Sequence, residues 1–204
     1  MEKLAKKIAG NIAHQLGYDE EKEAVVAYGL FAIFQIFANI LLVLFLGILI
    51  AAPAEAMIVC LSVGILRKYS GGVHASSAAL CTVIEAVYCT ATALISKRLI
   101  LSAYNPEVML AVIVILYPIS FITVKKYAPV DSPQKPIRTE KKRTRMKKGS
   151  LLVLSFYFTL SVILFFSGYR YRLFNSYGIS LLFGVSWQVF TLTPLCANLL
   201  HRVD

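Results

Sequence analysis

Apolar residues gather into six runs, 25–50, 54–66, 78–95, 108–124, 151–168 and 178–200. A helix needs about 20 residues to cross a hydrocarbon core, so several of these runs are long enough to span a membrane. The run 54–66 is the short one. At roughly 1.5 Å per residue it reaches about 20 Å, and with Pro53 at its start and Gly64 near its end it reads either as a span or as a half-buried helix. The pattern predicts an all-α, polytopic helical membrane protein with about six hydrophobic segments, four to six of them full spans. Ahead of the first run, Leu4, Ile8, Ile12 and Leu16 recur at intervals of four. Residues 2–17 therefore read as an amphipathic helix at the membrane surface, closed by Gly17; a leader packed on the protein itself would show the same spacing.

Composition narrows the class further. With 58% hydrophobic residues, 16% charged and a mean hydropathy of +0.69, an ordinary water-soluble domain, a disordered chain and a disulfide scaffold are excluded. The first 23 residues mix four lysines with five acids, unlike the basic-then-apolar build of a signal peptide. Of the net charge of +10, the stretch 125–148 carries most, with ten Lys or Arg against Asp131 and Glu140. Positive loops stay in the cytoplasm. Threading six spans from a cytoplasmic N-terminus places seventeen basic residues inside and four outside, namely Lys97, Arg98, Arg170 and Arg172. The expectation is one integral domain over 1–204, multi-pass in the cell membrane. Its leader (1–23), a polar loop (67–77), a basic loop (125–148) and both termini then lie on the cytoplasmic side.

The four cysteines, Cys60, Cys81, Cys89 and Cys196, fall in or at the rim of apolar runs without a C-x-x-C pair, so neither a disulfide framework nor a metal site is expected. Cys60, Cys89 and Cys196 read as small core hydrophobes. Cys81 differs, because it follows His74 by seven residues and adjoins the glycine-bearing interruption 67–77. Adjacent Gly71 and Gly72 are costly inside a helix and permit positive φ, so a turn is expected there. Ser76 or Ser77 then caps the next helix, and Cys81 sits about one turn inside its start. Exposed amides, the helix dipole and a neighbouring imidazole would together favour the thiolate that does nucleophilic chemistry. A continuous helix over 74–81 would hold His74 and Cys81 about 10.5 Å apart along its axis. The loop must therefore fold back for the two to meet, and Gly71 and Gly72 would serve that geometry or offer amides to a developing oxyanion. The alternative is that His74 ends a helix at the headgroup level while Cys81 packs in the core; spacing alone leaves both readings open.

The run Arg67-Lys68-Tyr69-Ser70-Gly71-Gly72-Val73-His74-Ala75, the interval from His74 to Cys81, and Ala128-Pro129-Val130-Asp131-Ser132-Pro133-Gln134-Lys135-Pro136-Ile137 closely resemble the accessory gene regulator protein B (AgrB-like) family of Gram-positive bacteria. The resemblance extends to size, apolar pattern and basic mid-chain stretch. It implies a membrane cysteine endopeptidase, a thiol protease of quorum sensing, that removes the C-terminal tail of a small propeptide through His74 and Cys81. Cyclisation to a thiolactone or lactone autoinducing peptide would follow. The implied substrate has an amphipathic start and an acidic tail, and no cofactor is called for. In this scheme Cys81 forms an acyl-enzyme thioester, His74 handles the proton, and a thiol of the peptide displaces Cys81 in a nearly balanced exchange that must be kept from water. Arg67 and Glu85 are candidates for an orienting or a structural role; Glu85 lies four residues after Cys81 on the same helical face.

The basic stretch allows three readings. It can be a topology determinant drawn to anionic lipid at about 1 kcal/mol per residue; it can dock the acidic tail of the implied substrate through Lys141, Lys142, Arg143, Lys147 and Lys148; or it can bind nucleic acid. The last is disfavoured, since the stretch lacks interleaved aromatics. Partners are therefore the propeptide, membrane lipid and, as an open possibility, a second copy of the chain. The rival from another class is a non-enzymatic transporter or scaffold for anionic ligands. Transporters show broken helices at matching positions of a repeat, and one glycine-interrupted segment without a counterpart favours the enzyme.

Overall fold

The computed structural model describes residues 1–73, 77–102, 104–131, 137 and 139–203, with all their side chains except those of 78, 100–102 and 200–203. Within these residues the chain forms eight helices and no strand: α1 (Glu2–Leu16), α2 (Glu20–Leu49), α3 (Pro53–Ser70), α4 (Ala78–Ser102), α5 (Pro106–Tyr127), α6 (Glu140–Gly168), α7 (Arg172–Phe190) and α8 (Pro194–Val203). Four are long and apolar enough to cross a membrane: α2, the 79–99 stretch of α4, α5 and α6. The protein is a polytopic helical membrane protein.

Two compact units divide the chain, Met1–Leu42 and Val43–Asp204. In the first, α1 ends as its sequence dictates: Gly17 takes φ 62, and its N–H returns to the Ala13 carbonyl. The buried face of α1 is the small stripe Ala5, Ala9 and Ala13, whereas Leu4 and Leu16 stay more than half exposed, at 54% and 59%. Ile8 and Ile12, between them in the same row, are half-buried, so the apolar row flanks the buried alanine face and does not coincide with it.

Three sequence-based boundaries are corrected in the second unit. The short run 54–66 belongs to an 18-residue helix that continues through Arg67 and Lys68 to Ser70, so α3 is about 27 Å long. Its polar last turn hid this length. The stretch 125–148 is not one loop, because α5 runs to Tyr127 and α6 begins at Glu140, with Thr139 Oγ1 accepting the Lys142 N–H. The clustered cations thus ride on the first turns of a helix. The run 178–200 is two helices, broken at Thr191–Thr193 ahead of Pro194, whose ring suits a helix start.

In a membrane, helix association rests on close packing and interhelical hydrogen bonds, and α3 and α7 carry the residues for both. They form the most extensive helix pair. Ser176 Oγ donates to the buried Glu55 carboxylate at 2.7 Å near their N-termini, Gly184 meets Ser62 midway, and Gln188 Nε2 donates to Ser70 Oγ at 3.0 Å near their C-termini. The two helices are therefore parallel. α6 crosses them in the opposite sense: the Tyr157 hydroxyl donates to the Ser62 carbonyl at 3.1 Å, while Gly149 abuts Tyr69 and Gly168 abuts Asn175. These buried polar positions lower the hydropathy of α3 and α7, whereas Phe45, Ile115, Ile122 and Phe166 face outward on other helices.

Gly184→Val should lower the thermal midpoint in detergent, by a packing cost of about 1–3 kcal/mol, because any Cβ there overlaps the Ser62 hydroxyl and lies 3.1 Å from the Val59 carbonyl. Gly64→Ala meets nothing within 4 Å and should be neutral or slightly stabilising. Equal midpoints for the two variants would contradict the α3–α7 contact.

The consequence for function is that helices α3 to α7 run alternately between two ends. One end gathers the C-termini of α3, α5 and α7 and the N-termini of α4 and α6, as the Gly71–Val130 bridge, the Val73–Thr191 hydrogen bond and the Tyr69–Gly149 contact show. The other holds Ala51, whose carbonyl accepts from Lys97 Nζ, and the Tyr104–Asn175 hydrogen bond of 2.9 Å. Stretches separated by up to 120 residues, around 70, 80, 130, 145 and 190, thereby meet at the first end.

Candidate active site

The interruption predicted at the glycines is a tightly clamped turn. Gly71 has φ 67 and ψ −152 and its N–H caps α3 through the Arg67 carbonyl; Gly72 has φ 150. Such backbone angles are essentially restricted to glycine. Close neighbours add a second reason: a Cβ on Gly71 would overlap the Val130 carbonyl oxygen, and one on Gly72 would come within 2.9 Å of Thr191 Oγ1. The Gly71 N–H is occupied by the cap of α3, at 2.9 Å from the Arg67 carbonyl.

Three separate elements hold this turn. From α7, Gln188 Nε2 donates to the Gly71 carbonyl at 2.7 Å. From the segment after α5, Val130 N–H donates to the Ser70 carbonyl at 2.9 Å. Val73 is gripped on both sides, its N–H donating to the Thr191 carbonyl at 3.1 Å and its carbonyl accepting from Arg67 Nη2 at 2.6 Å. A guanidinium bonded to a carbonyl in a partly buried site fixes the backbone immediately ahead of residue 74. His74 itself, with Ala75 and Ser76, lies outside the described residues.

The chain re-enters a helix at Ala78, and Ser77 is the capping residue, its Oγ accepting the Leu80 N–H at 3.1 Å and its carbonyl the Cys81 N–H at 3.1 Å. Cys81 accordingly stands one turn into α4, as the sequence predicts. It opens on a cavity of about 40 Å³ whose other walls, among the described residues, are Arg67, Val73, Ile84, Glu85, Trp187, Thr191 and Cys196. Arg67 and Glu85, singled out from sequence as orienting or structural candidates, thus share a cavity with the thiol. The side chains contributed by α7 and α8 were missed. One sequence signal for them was polarity inside an apolar run, Gln188 and Thr191, a mark of function in membrane segments. Cys196, read from sequence as a core hydrophobe, also faces the cavity; burial pushes its thiol above the ordinary range, against the opposing influence of the Arg67 charge.

The remaining cysteines keep to the interior. Cys60 and Cys89 are buried and in hydrogen-bond contact across α3 and α4. Among the described residues no group of His, Cys, Asp or Glu has the arrangement of a metal site.

Lys141, Lys142, Arg143, Lys147 and Lys148 stand on the first turns of α6, at the same end as the cavity. Helical spacing puts Lys141 and Lys148 on one exposed face together with Arg145, a residue the sequence reading did not include. Arg143 is engaged in part, lying 3.9 Å from Asp131, which also accepts the Ile137 N–H at 3.0 Å. Both members of that pair are well exposed, so it contributes little stability.

A bundle of alternating membrane helices, with a capped thiol, a glycine-bound loop and a basic helix start at one end, defines a polytopic membrane protein with a cysteine site at its rim. Comparison with known proteins then gives the family: a model of the family described as accessory gene regulator B matches residues 5–192. The chain belongs to the accessory gene regulator B family. It is 36% identical to AgrB-like protein 2 of Clostridium perfringens (strain 13 / Type A) over 207 aligned positions, covering 100% of this chain and 96% of that one. An AgrB-like protein of Clostridium perfringens (strain SM101 / Type A) is 35% identical with the same coverage. An AgrB-like protein of Clostridium acetobutylicum is 26% identical over 75% of this chain and 70% of its own. No solved structure matches the chain.

Proposed function

We propose that the protein is a membrane cysteine endopeptidase that cuts the C-terminal tail from a small quorum-sensing propeptide, with Cys81 as nucleophile and His74 as its proton-transfer partner. The observation that carries this reading is the placement of Cys81: one turn into a capped helix, on a cavity, beside a loop held rigid up to the residue before His74. Preorganisation of this kind is what nucleophilic catalysis needs.

Cys81 sulfur attacks the scissile carbonyl, a C–S bond forms and the C–N bond breaks, and His74 delivers the thiol proton to the departing amine. An acyl-enzyme thioester remains. A thiol within the bound peptide, its proton taken by His74, then attacks the thioester carbonyl; the bond to Cys81 sulfur breaks and the Cys81 thiolate recovers that proton, which yields a thiolactone, and a hydroxyl in place of the thiol yields a lactone. The apolar side chains of Ile84, Val73 and Trp187 line the cavity beside the intermediate, and the exchange is favoured to the extent that bound peptide displaces water there. The test is chemical: protein co-expressed with a propeptide should yield a Cys81 peptide carrying the acyl mass, removed by neutral hydroxylamine. An adduct on any other residue would refute the assignment.

The basic start of α6 serves orientation and substrate together. With the cavity end bearing most of the positive charge, that end faces the cytoplasm of the cell membrane, and both termini follow. Lys141, Lys142 and Arg143 replaced by Gln should leave orientation unchanged, because seven of the ten basic residues of 125–148 remain. Cysteines placed at 141–148 should still react from the cytoplasm, and those at 170–177 from outside. Cleavage should fall, and wild-type cleavage should weaken as salt rises, since exposed charges are screened over about 10 Å at 0.1 M. A propeptide with its tail acids neutralised should lose little more with the triple variant, the non-additivity of groups in contact. Unimpaired cleavage by a correctly oriented triple variant would return the cluster to lipid alone.

A further inference from the structure

The cavity beside Cys81 is small enough to choose among side chains. Its volume of about 40 Å³ corresponds to roughly three water-sized spheres, and is about a quarter of the ~150 Å³ apolar cavity that accepts benzene. Two large apolar side chains among its described walls bound that space. Ile84 lies three residues after Cys81 on α4 and so presents to the same side of the helix. Trp187 of α7 forms a braced wall of the cavity: its indole stacks on Tyr88 with ring centres 4.2 Å apart, and it packs on Phe190 at 6.0 Å. The Tyr88 hydroxyl is in turn tied to the Phe183 carbonyl at 2.9 Å. A half-buried aromatic pair that is stacked and hydrogen-bonded to α7 holds its position better than a single free ring.

Covalent geometry makes this space relevant to a substrate. Once a carbonyl carbon is bonded to Cys81 sulfur, the Cβ of the acylated residue is only three bonds away, and at about 1.5 Å for each carbon–carbon bond its side chain must fall within a few ångströms of the thiol. We infer that the cavity is a subsite for the side chain of the residue whose carbonyl Cys81 attacks. It takes a side chain of about one to three non-hydrogen atoms, the size of Ala, Ser, Thr or Val, and refuses an aromatic ring. Trp187 and Ile84 are the specificity-determining residues. The inference rests on the reading of Cys81 as the nucleophile, yet the cavity's selectivity can be measured apart from it.

Two arms separate the ideas. In the first, the full-length protein in lipid nanodiscs is treated with methyl methanethiosulfonate or benzyl methanethiosulfonate, and Cys81 modification is followed by site-resolved mass spectrometry. The methyl reagent should be favoured at least about tenfold more than in the denatured chain, a typical cost of overpacking. Trp187→Leu should collapse this preference, and Ile84→Phe should slow even the methyl reagent. Because the two substitutions act in opposite directions, a general loss of fold cannot produce both results. A native preference equal to the denatured one overturns the inference. In the second arm, a co-expressed propeptide carries Ala, Thr, Phe or Trp just before the scissile bond. Wild type should cleave the first two at least about tenfold better, and Trp187→Leu should narrow the gap. Cleavage that depends on Cys81 but is indifferent to this residue would overturn the subsite while leaving the proposed function intact; cleavage that survives Cys81→Ala would overturn both.

Discussion

Cys81→Ala is expected to abolish release of a co-expressed propeptide's tail while membrane level and thermal midpoint stay at wild-type values. Loss of a nucleophile in an enzyme of this logic costs on the order of a million-fold in turnover, far below detection in a processing assay. The fold should tolerate the change, because Cys81 borders a cavity and its side chain is only half-buried. Cys60→Ala and Cys89→Ala make the comparison sharp. Both thiols are fully buried between α3 and α4, so these variants should lose stability by about 1 kcal/mol, the usual centre for point substitutions, and retain processing. His74→Ala should be as inactive as Cys81→Ala, and the described clamp, made by Arg67, Ser70, Val73, Val130 and Thr191, uses none of its atoms. Processing by Cys81→Ala at even a tenth of the wild-type rate would rule out the thioester route.

The sequence was most informative where a single residue type dictates the backbone. Gly71-Gly72 foretold the turn, Ser77 the start of α4, and through it the position of Cys81, because positive φ and N-capping are local properties. Helix lengths were less legible. Arg67 and Lys68 looked like loop residues, yet they prolong α3, and Lys141 to Lys148 looked like loop yet begin α6. Charge predicts which side of a membrane a residue occupies, whereas helix continuation depends on the backbone, and basic side chains are good helix formers. Least legible were the residues that complete the site from far along the chain. Gln188, Thr191, Trp187 and Cys196 reach it only because α7 runs parallel to α3, a fact of tertiary packing and not of backbone propensity. The polar ladder Ser176, Ser180, Gly184 and Gln188, spaced by four along α7, is the signal that could have revealed it: small and polar residues at that spacing mark a helix face that meets another helix.

Gly71→Ala should be the most damaging substitution outside the proposed pair of His74 and Cys81. Three restraints converge on this residue: its N–H caps α3 through Arg67, its carbonyl accepts from Gln188 Nε2 at 2.7 Å, and it bridges to Val130. Its φ of 67 with ψ −152 lies where an L side chain costs about 1–3 kcal/mol, and an added Cβ would overlap the Val130 carbonyl oxygen. The overlap is with backbone, so no rotamer change relieves it; the turn must move, and residue 74 moves with it. A displacement of about 1 Å at a catalytic group can cost on the order of a hundredfold in rate, and processing should fall by that factor or more. Gln188→Ala, which removes one restraint and adds no clash, should fall between Gly71→Ala and wild type. Methyl methanethiosulfonate labelling of Cys81 distinguishes a displaced loop from a lost fold: because the thiol sits on α4 and three of its cavity walls are Ile84, Trp187 and Cys196, Gly71→Ala should keep labelling within a few-fold of wild type while cleavage collapses. Full cleavage by Gly71→Ala would mean that the chemistry does not depend on the clamped turn.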